Sequence, residues 1–511
     1  MEHSRLILVH WTMARSFFLL LLAWCCTYVS EAQMERTHIQ GAAAPFALSS
    51  DYRALGHNPA LMTFDGWEGA YTRTTGGFEG GLSIRSTFLE RADLWSQLRG
   101  QTELESTQWT LDDWVEALTD EDLHMSASFL SAAYARRMGT WAFAYANRRS
   151  VLASVNLSST AAKLFSDGGL DLFSSIRLVD SGEIVPVEDF DFTLGQVWEG
   201  VEINTESTLA NLLQGSTFSF QSVRSHEVGL SKSWGAQDDG GWKLHTGVGA
   251  RLVLGSAYFD LQAYGDELTA FGARSEGLSW SSIQAFDSLQ GSGLSLGWLD
   301  ILSPAGRGWS VDVGGVLSRD NIWFGASLVD VGQMTWQGKE YGIQNLSLGL
   351  APDASNPEAF DPTQFSIDPG SWLSSASDFL NPDSWFESGQ EEERVVRAKP
   401  MLALSAGFRP VQPVVLAANI SVRNREAIAR GGWTGGATAG VRLTSVMVLE
   451  AGVQRGRQDV FRYPVSFRFS MRRGLEFGLR TSDVSVLWEG AQPELGFQGC
   501  FLRYRMAQSG D

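Results

Sequence analysis

Few residues in this chain have both the type and the spacing that active-site chemistry requires. Gly293-Leu294-Ser295-Leu296-Gly297 matches the G-x-S-x-G pattern of a nucleophilic serine. That pattern needs a strand, a sharp turn and a helix, with a histidine later in the chain. The last histidine is His245, so the usual order fails. We therefore interpret Ser295 as an ordinary strand residue.

Metal-binding patterns are also weak. The sequence has no H-E-x-x-H motif and no pair of cysteines with zinc-ligand spacing. Glu188, Asp189 and Asp191 could bind calcium, but an Asp-rich loop is more often simply solvated. The residues thus predict no metal, no cofactor and no enzyme.

The first 32 residues are typical of a secretory signal peptide. Arg5 and Arg15 supply the positive region, and Ser16 to Val29 form an apolar stretch too short to span a membrane. Ser30 and Ala32 are small residues that favour cleavage before the next residue. The sequence therefore predicts an exported protein whose mature chain begins at residue 33.

Cysteine usage leaves one alternative for the leader. Cys25 and Cys26 would allow a lipoprotein signal, although Trp24 precedes them where a small residue is expected. Cleavage would leave Cys500 as the single cysteine, so the mature chain could form no internal disulfide.

The chain is strongly acidic, and the charge limits its partners. The formal net charge is −19, and the charges of the predicted leader cancel. A nucleic-acid partner would select for a basic surface, and so would attachment to anionic lipid heads from outside. The acidity therefore argues against a nucleic-acid partner and against a peripheral protein held by anionic lipid heads.

The C-terminal third alternates with the period of a β-strand. From Phe461 to Met471 the odd positions are apolar, whereas the even positions carry Arg, Ser or Pro. Successive strand side chains point to opposite faces, so the segment has one apolar and one cationic face. The same alternation recurs at residues 141–157, 242–254, 322–328, 439–444, 447–454 and 474–480. Short connections between the later runs indicate antiparallel hairpins.

Two architectures fit alternating strands: a soluble sandwich, and a membrane barrel whose apolar face meets lipid. Strands of about ten residues, and polar faces rich in Gly and Arg, favour the barrel. Arg also pairs with carboxylates in a crowded lumen more readily than Lys does. Aromatic residues near strand ends suit interfacial girdles, namely Trp242, Tyr258, Trp336 and Phe461.

We therefore predict an all-β fold: an antiparallel transmembrane barrel of about 14 strands over residues 66–511. Short helices are expected in loops, the clearest over residues 111–118 after Thr110, and weaker ones over 159–165 and 205–213. Residues 351–394 form a long acidic loop, which is either an extracellular decoration or a lid over the barrel mouth.

The segment before the first clear strand, residues 33–65, is rich in small residues and could pack inside the lumen. Within it, the stretch LGHNPALM carries Asn58, Pro59 and Ala60. This Asn-Pro-Ala motif resembles the N-terminal hatch of FadL-like fatty-acid transport barrels and related PorV-like barrels. The stretch SLVDVGQMTW, residues 327–336, also resembles a strand and turn of uncharacterised outer-membrane barrels of this group.

The resemblance implies a hatch that closes the barrel and moves when ligand passes. Asn58 would anchor the turn by side-chain hydrogen bonds, and Pro59 would fix the backbone. An ordinary Asn-Pro turn leading into a strand is the alternative. Outer-membrane barrels commonly end on an aromatic residue that assists assembly, whereas this chain ends Met506-Ala-Gln-Ser-Gly-Asp511. Either the last strand stops near Met506 and a short tail follows, or an assembly signal of another kind operates.

Three functions remain open. The first is transport or binding of a small hydrophobic ligand through a barrel in the outer membrane of a Gram-negative cell, in contact with outer-membrane lipid. The second is a structural barrel that docks a secreted or surface protein through its acidic loop. The third is a lipid-modifying barrel enzyme that would use His124, His226 or His245 near the rim.

Overall fold

A computed structural model describes most of the predicted barrel and the segment before it. The described residues are 33–34, 44–67, 70–85, 123–158, 161, 173–178, 183–186, 198–203, 213–235, 241–264, 267–275, 303–344, 390–423, 433–455, 461–471, 474–487 and 495–507.

The described chain is almost entirely β-structure. Its strands are β1 Gln33–Met34, β2 Tyr71–Arg85, β3 Leu123–Met138, β4 Trp141–Asn156, β5 Phe173–Leu178, β6 Ile184–Pro186, β7 Trp198–Ile203, β8 Thr217–Trp234, β9 Lys243–Tyr264, β10 Glu267–Arg274, β11 Gly306–Arg319, β12 Ile322–Gln344, β13 Gln390–Ala398, β14 Met401–Val411, β15 Val414–Val422, β16 Trp433–Arg442, β17 Met447–Arg455, β18 Phe461–Arg462, β19 Val465–Ser470, β20 Leu475–Thr481 and β21 Leu495–Ala507.

All of these strands except β1 and β5 to β7 form one closed antiparallel barrel. β2 pairs with β3 on one side and with the last strand, β21, on the other, which closes the ring. Three strand positions are built from collinear pieces: β10 continues the line of β11 between β9 and β12, β13 continues the line of β14 beside β12, and β18 continues the line of β19 beside β17. Counting each collinear pair once gives fourteen positions in the part of the chain that the structure describes. The predicted fold class and strand number are confirmed.

Smaller pieces of β-structure accompany the barrel. β5, β6 and β7 form a separate three-stranded sheet with β5 in the middle. The two-residue strand β1 pairs in parallel with β13.

Short turns and the chain ends identify one end of the barrel. β2 enters and β21 leaves at the same end, where two-residue turns connect β3 to β4 and β11 to β12. Outer-membrane barrels place short turns at the periplasmic end, so we call this the turn end. β21 ends at Ala507, close to the residue predicted from the sequence.

The outer wall is apolar and the inner wall is polar. On β9, Leu244, Val248 and Leu252 are exposed on the outside, whereas His245 and Arg251 are buried on the inside. This is the division of faces predicted for residues 242–254. A closed barrel satisfies its backbone hydrogen bonds internally, so its wall is compatible with a bilayer. In a bilayer, lipid covers the exposed apolar side chains of such a wall.

Two β-bulges, one on β9 and one on β12, exchange the inward and outward faces of these strands farther from the turn end. Ser256 is an extra residue of β9 opposite β8, and β12 has an extra residue next to Asp330, whose φ is 62°. An extra residue shifts the alternation by one, so side chains beyond it exchange faces. Tyr258 and Trp336 therefore point into the lumen and are buried, and their predicted place in an aromatic girdle was wrong. Trp242 is exposed.

A short 3-10 helix, Val484–Leu487, lies between β20 and β21. Three further short helical pieces precede β2. They are helix α1 at Pro45–Leu48 and 3-10 helices at Asp51–Ala54 and Pro59–Thr63. No helix among the described residues has the length and apolar character needed to cross a bilayer.

Several predicted features lie outside the described residues. These are the leader, the helix over 111–118, all but one residue of each of the helices over 159–165 and 205–213, the GxSxG serine Ser295, and the acidic residues Glu188, Asp189 and Asp191. The acidic loop predicted over residues 351–394 ends earlier than expected, because residues 390–394 belong to β13. The rest of this loop lies outside the described residues.

Candidate functional site

The segment 44–67, here called the luminal segment, lies inside the barrel near the turn end. Its apolar side chains are buried, among them Phe46, Tyr52, Leu55, Met62 and Trp67. All of these except Phe46 pack in one cluster with inward alanines of β3 and β4 and with Val316 and Val415, whereas Phe46 packs against inward residues of β12 and β14. Small residues in the segment and alanines on the wall allow the two backbones to approach closely, which fills the lumen at this level.

Asn58, Pro59 and Ala60 form the start of the second 3-10 helix. The Asn58 Oδ1 atom accepts a hydrogen bond from the Ala60 amide at 3.1 Å, and its Nδ2 atom donates to the carbonyl of Gly315 on β11 at 3.3 Å. One side chain thus caps the local turn and ties it to the barrel wall. Pro59 occupies the first helical position, where its missing N–H costs nothing.

Glycines on neighbouring strands make room for this motif. A β-carbon at Gly247 on β9 would overlap the backbone of Pro59, and one at Gly314 on β11 would overlap the Asn58 side chain. Any larger residue at either position would push the Asn-Pro pair off the wall. The luminal segment therefore packs against the inward face of these strands, where the sequence has glycine and other small residues.

A hydroxyl and imidazole network holds the end of the same 3-10 helix. Thr63 Oγ1 lies 2.8 Å from Ser231 Oγ on β8 and 3.2 Å from His245 Nδ1 on β9. Ser231 also donates to the Ala60 carbonyl, and the other His245 nitrogen lies 3.2 Å from Ser318 Oγ. His245 is thus a structural contact of the luminal segment, engaged at both ring nitrogens.

On the opposite side, buried ion pairs fix the segment to the last strand. Asp51 Oδ2 lies 2.8 Å from Arg503 Nη1 and 3.3 Å from Arg505 Nη1, both on β21. Arg503 is fully buried and also pairs with Glu476 on β20 at 2.5 Å. A buried charge is stable only when it is paired and hydrogen-bonded. This cluster therefore specifies where the first helical turn must dock.

Tyr52 continues this anchorage toward β2. Its hydroxyl donates to Glu79 at 3.2 Å. Complete burial, and then the nearby carboxylates of Glu79 and Asp51, raise the pKa of Tyr52 well above its ordinary value. The phenol therefore stays protonated and keeps its hydrogen bond to Glu79.

The two ends of the segment are also tied down. Trp323 on β12 donates to the Ala47 carbonyl at 3.2 Å, and Ser405 on β14 donates to the Phe46 carbonyl at 3.1 Å. At the other end, the Trp67 indole donates to Glu450 on β17 at 2.8 Å. Contacts with strands all around the ring make the segment a closure across the lumen.

A charged layer lies above the luminal segment, formed by Glu227, Arg251, Asp312 and Asp330 on four consecutive strand positions. Arg251 contacts Asp330 at 2.8 Å, Asp312 at 3.2 Å and Glu227 at 3.5 Å. The Asp330 amide donates to Asp312 at 2.9 Å, which holds the bulge of β12 in its left-handed conformation. In this layer an arginine pairs with carboxylates inside the lumen, as we expected from the excess of Arg on the polar strand faces.

Above the charged layer the lumen becomes aromatic. Tyr258 stacks on Trp336 with ring centroids 5.1 Å apart, and its ring is tilted by 55° to that of Phe271, with centroids 5.9 Å apart. Val253 and Met334 pack against them, and we call these five residues the aromatic cluster. Tyr258, Met334 and Trp336 lie beyond the two bulges and face the lumen because of them.

A polar rim covers the aromatic cluster on its far side. The Arg394 guanidinium lies 4.4 Å from the centre of the Phe271 ring. It pairs with Asp260 at 3.1 Å and with Glu340 at 3.5 Å. The rim thus places a cation on an aromatic face while two carboxylates balance its charge.

Other predicted site residues are dispersed. His226 is on the outward face of β8, where its Nδ1 atom lies 3.0 Å from the Tyr145 hydroxyl, and it is remote from His245 in both face and partners. His124 is on β3. The described residues contain no group of three or more His, Cys, Asp or Glu side chains that could hold a metal ion.

No protein-family model and no curated protein matches the chain. Among solved structures, it is similar to the Pseudomonas putida toluene transporter TodX, with 12% identity, a TM-score of 0.37 and coverage of 94% of this chain and 100% of that one. A TodX deltaS2S3 mutant, described as a monoaromatic hydrocarbon channel, has 10% identity, a TM-score of 0.41 and coverage of 90% and 96%. A Pseudomonas aeruginosa FadL homologue has 10% identity, a TM-score of 0.37 and coverage of 94% and 97%.

The fold and the luminal segment define a β-barrel with a segment of its own chain packed in the lumen.

Proposed function

We propose that this protein is an outer-membrane barrel that carries a small hydrophobic ligand, and that the luminal segment is the hatch that controls its passage. The observation that carries the proposal is the stacking of three layers along the inner wall of β9. The luminal segment meets Gly247, the charged layer contains Arg251, and the aromatic cluster contains Tyr258. At about 3.3 Å per residue, these layers follow one another over about 36 Å of strand.

The aromatic cluster supplies the binding chemistry. Pockets for small ligands are mostly apolar and aromatic, with a few polar groups that fix orientation. Trp336, Tyr258 and Phe271 provide the aromatic surface, and Arg394 with its two carboxylates provides a polar edge. Since the rim already pairs Arg394 with acids, it favours a ligand without a negative charge.

The charged layer and the hatch supply the barrier. A hydrophobic molecule leaving the aromatic cluster meets buried ion pairs and then a packed segment, so passage requires the hatch to move. The hatch is held by hydrogen bonds and ion pairs to separate strands, each of which contributes about 1 to 3 kcal/mol. Such a closure can be displaced without unfolding the barrel.

Channel conductance tests the hatch. The variant lacking residues 44–63 is expected to conduct ions in a planar bilayer far better than the full-length protein, because the lumen at the turn end is then open. Deletion of residues 355–385 from the acidic loop serves as the control. Equal conductance of the hatch-deleted and full-length proteins would refute the hatch.

Fractionation tests the location. We expect the protein in the outer-membrane fraction, with a different gel mobility before and after boiling, as a folded barrel shows. Recovery as a soluble periplasmic protein would overturn both the location and the transport proposal.

A further inference from the structure

Trp336 is completely buried in the aromatic cluster, yet its one polar atom is unused. The indole Nε1 has no hydrogen-bond partner among the residues that the structure describes. An indole N–H can donate but cannot accept. A buried donor without a partner is costly, and in a native protein it calls for a water or a ligand that satisfies it. The cluster thus contains a donor that is available to a bound molecule.

The barrel wall holds this indole in one orientation. A β-carbon at Gly255 on β9 would overlap the ring atoms Cη2 and Cζ3, and one at Gly306 on β11 would overlap Cε3 and Cδ2. The six-membered ring therefore packs against the two glycines, and Nε1 belongs to the part of the indole that is farther from them. Because the ring cannot rotate without losing this contact, the N–H keeps one position.

A second unused donor lies on the neighbouring strand. Gln221 on β8 is the register partner of Tyr258 and shares the inward face of Val223, which packs against the aromatic cluster. Gln221 is buried, and its Nε2 atom likewise has no hydrogen-bond partner in the described part of the chain. The stacked rings of Tyr258 and Trp336 are therefore bordered by two N–H groups without acceptors.

The carboxyl groups of the rim already have partners, so they do not serve these donors. Asp260 accepts from Arg394 at 3.1 Å, and Glu340 lies 3.5 Å from the same guanidinium. Glu340 also shares a hydrogen bond with Glu392, and Arg394 makes one with the Tyr258 hydroxyl. The hydrogen-bonding capacity left at the cluster is that of the two N–H groups, which call for an acceptor.

Charge at the rim disfavours an anionic acceptor. The carboxyl groups of Asp260, Glu340 and Glu392 surround a single guanidinium in the described rim, that of Arg394, and its charge is already balanced. A carboxylate ligand would be repelled by these acids, and the repulsion is strong where water is excluded. An uncharged oxygen acceptor satisfies the donors without that repulsion.

We infer that the ligand of the aromatic cluster is an uncharged aromatic molecule with a carbonyl or similar oxygen, and that Trp336 and Gln221 are the residues that select for this oxygen. The aromatic part of the ligand packs against the rings of the cluster, and the oxygen accepts from the N–H groups. The inference rests on the proposed function, because it takes the aromatic cluster as the binding site. It adds a polar selectivity that a plain hydrocarbon ligand does not use.

Two probes of nearly the same shape isolate the oxygen. Acetophenone has a C=O group where α-methylstyrene has C=CH2. Their affinities for the purified full-length protein in detergent are measured by isothermal titration calorimetry. We expect acetophenone to bind about tenfold more tightly than α-methylstyrene, which corresponds to about one net hydrogen bond. Benzoate, which carries a negative charge, should bind more weakly than acetophenone.

Variants assign the selectivity to the two donors. Trp336→Phe keeps an aromatic ring without the N–H, and Gln221→Met keeps the length of the side chain without the amide. The readout is the ratio of the two affinities, because loss of ring area weakens both probes alike. The ratio should fall about threefold in each single variant and approach one in the double variant. Trp309→Phe, at an exposed outward position, should leave it unchanged, and a heat-dependent gel shift reports folding of each variant.

Equal affinity of the unaltered protein for the two probes, or an unchanged ratio in the folded double variant, would overturn the inference. Either result would assign the two donors to ordered water and leave the aromatic cluster as the binding site. Tighter binding of benzoate than of acetophenone would overturn the requirement for an uncharged ligand. Failure to bind either probe would remove the cluster as the binding site, and the inference would fall together with that part of the proposed function.

Discussion

Pro59 lies directly against Gly247, so closely that a β-carbon on the glycine would overlap the proline backbone. The contact joins the most specific motif of the N-terminal segment to a plain glycine on a barrel strand. The fit of the luminal segment therefore depends on Gly247, a residue without a functional group, because its missing side chain leaves room for Pro59.

Gly247→Val should displace the hatch. The valine side chain occupies the space of the Pro59 backbone, so the Asn-Pro turn must leave its seat while the outward face of β9 is unchanged. We expect raised conductance with a normal heat-dependent gel shift. Gly77→Ala is the control, since a β-carbon there meets no atom within 4 Å. Unchanged conductance of the valine variant would show that this contact does not hold the hatch.

Asp51→Asn should loosen the other side of the hatch. Asparagine tolerates the φ of 53° at this position, so the change removes the charge and spares the backbone. The ion pairs with Arg503 and Arg505 are lost, at a cost of roughly 3 kcal/mol. Hydrogen exchange should become faster in residues 44–67 than in the strands. Uniform acceleration throughout the barrel would instead indicate global destabilisation.

Arg251→Met should destabilise the barrel by about 3 to 5 kcal/mol, because it leaves the buried carboxylates of Asp312 and Asp330 without their cation. Denaturant unfolding in lipid vesicles, followed by tryptophan fluorescence, measures the change. Arg319→Ala removes an exposed ion pair with Asp320 and should cost less than about 1 kcal/mol. Equal losses of unfolding free energy in the two variants would mean that burial does not determine how much these ion pairs contribute to stability.

Trp336→Leu should weaken ligand binding. The indole supplies the stacked face against Tyr258, and its loss should reduce the affinity for a neutral aromatic probe such as naphthalene about tenfold. Trp309→Leu is the matched control, because Trp309 is an outward residue that is 51% exposed. If both variants bind the probe alike, the aromatic cluster is not the binding site.

Alternation in the sequence was sufficient to predict the barrel, its strand number and most of its faces. The apolar and polar positions of residues 242–254 lie outside and inside as their period requires. The rule fails where a strand gains a residue. Nothing near Ser256 in the sequence marks it as the extra one, so the inward turn of Tyr258 could not be predicted.

Contacts of the luminal segment were predictable only within the turn itself. The capping of Ala60 by Asn58 follows from residue type and spacing, since both partners are local. The second bond of Asn58 reaches Gly315, 257 residues away. Which strand a segment meets depends on how the barrel closes, and local sequence does not contain that information.

The pair between Asp51 and Arg503 joins residues 452 positions apart, and this separation dictates the order of assembly. Asp51 enters the growing chain early, but its partner is on the strand that closes the ring. The carboxylate can therefore reach its final place only after the last strand has formed. Residues 44–67 are therefore among the last parts of the chain to reach their native contacts, and docking of this segment reports that the barrel has closed.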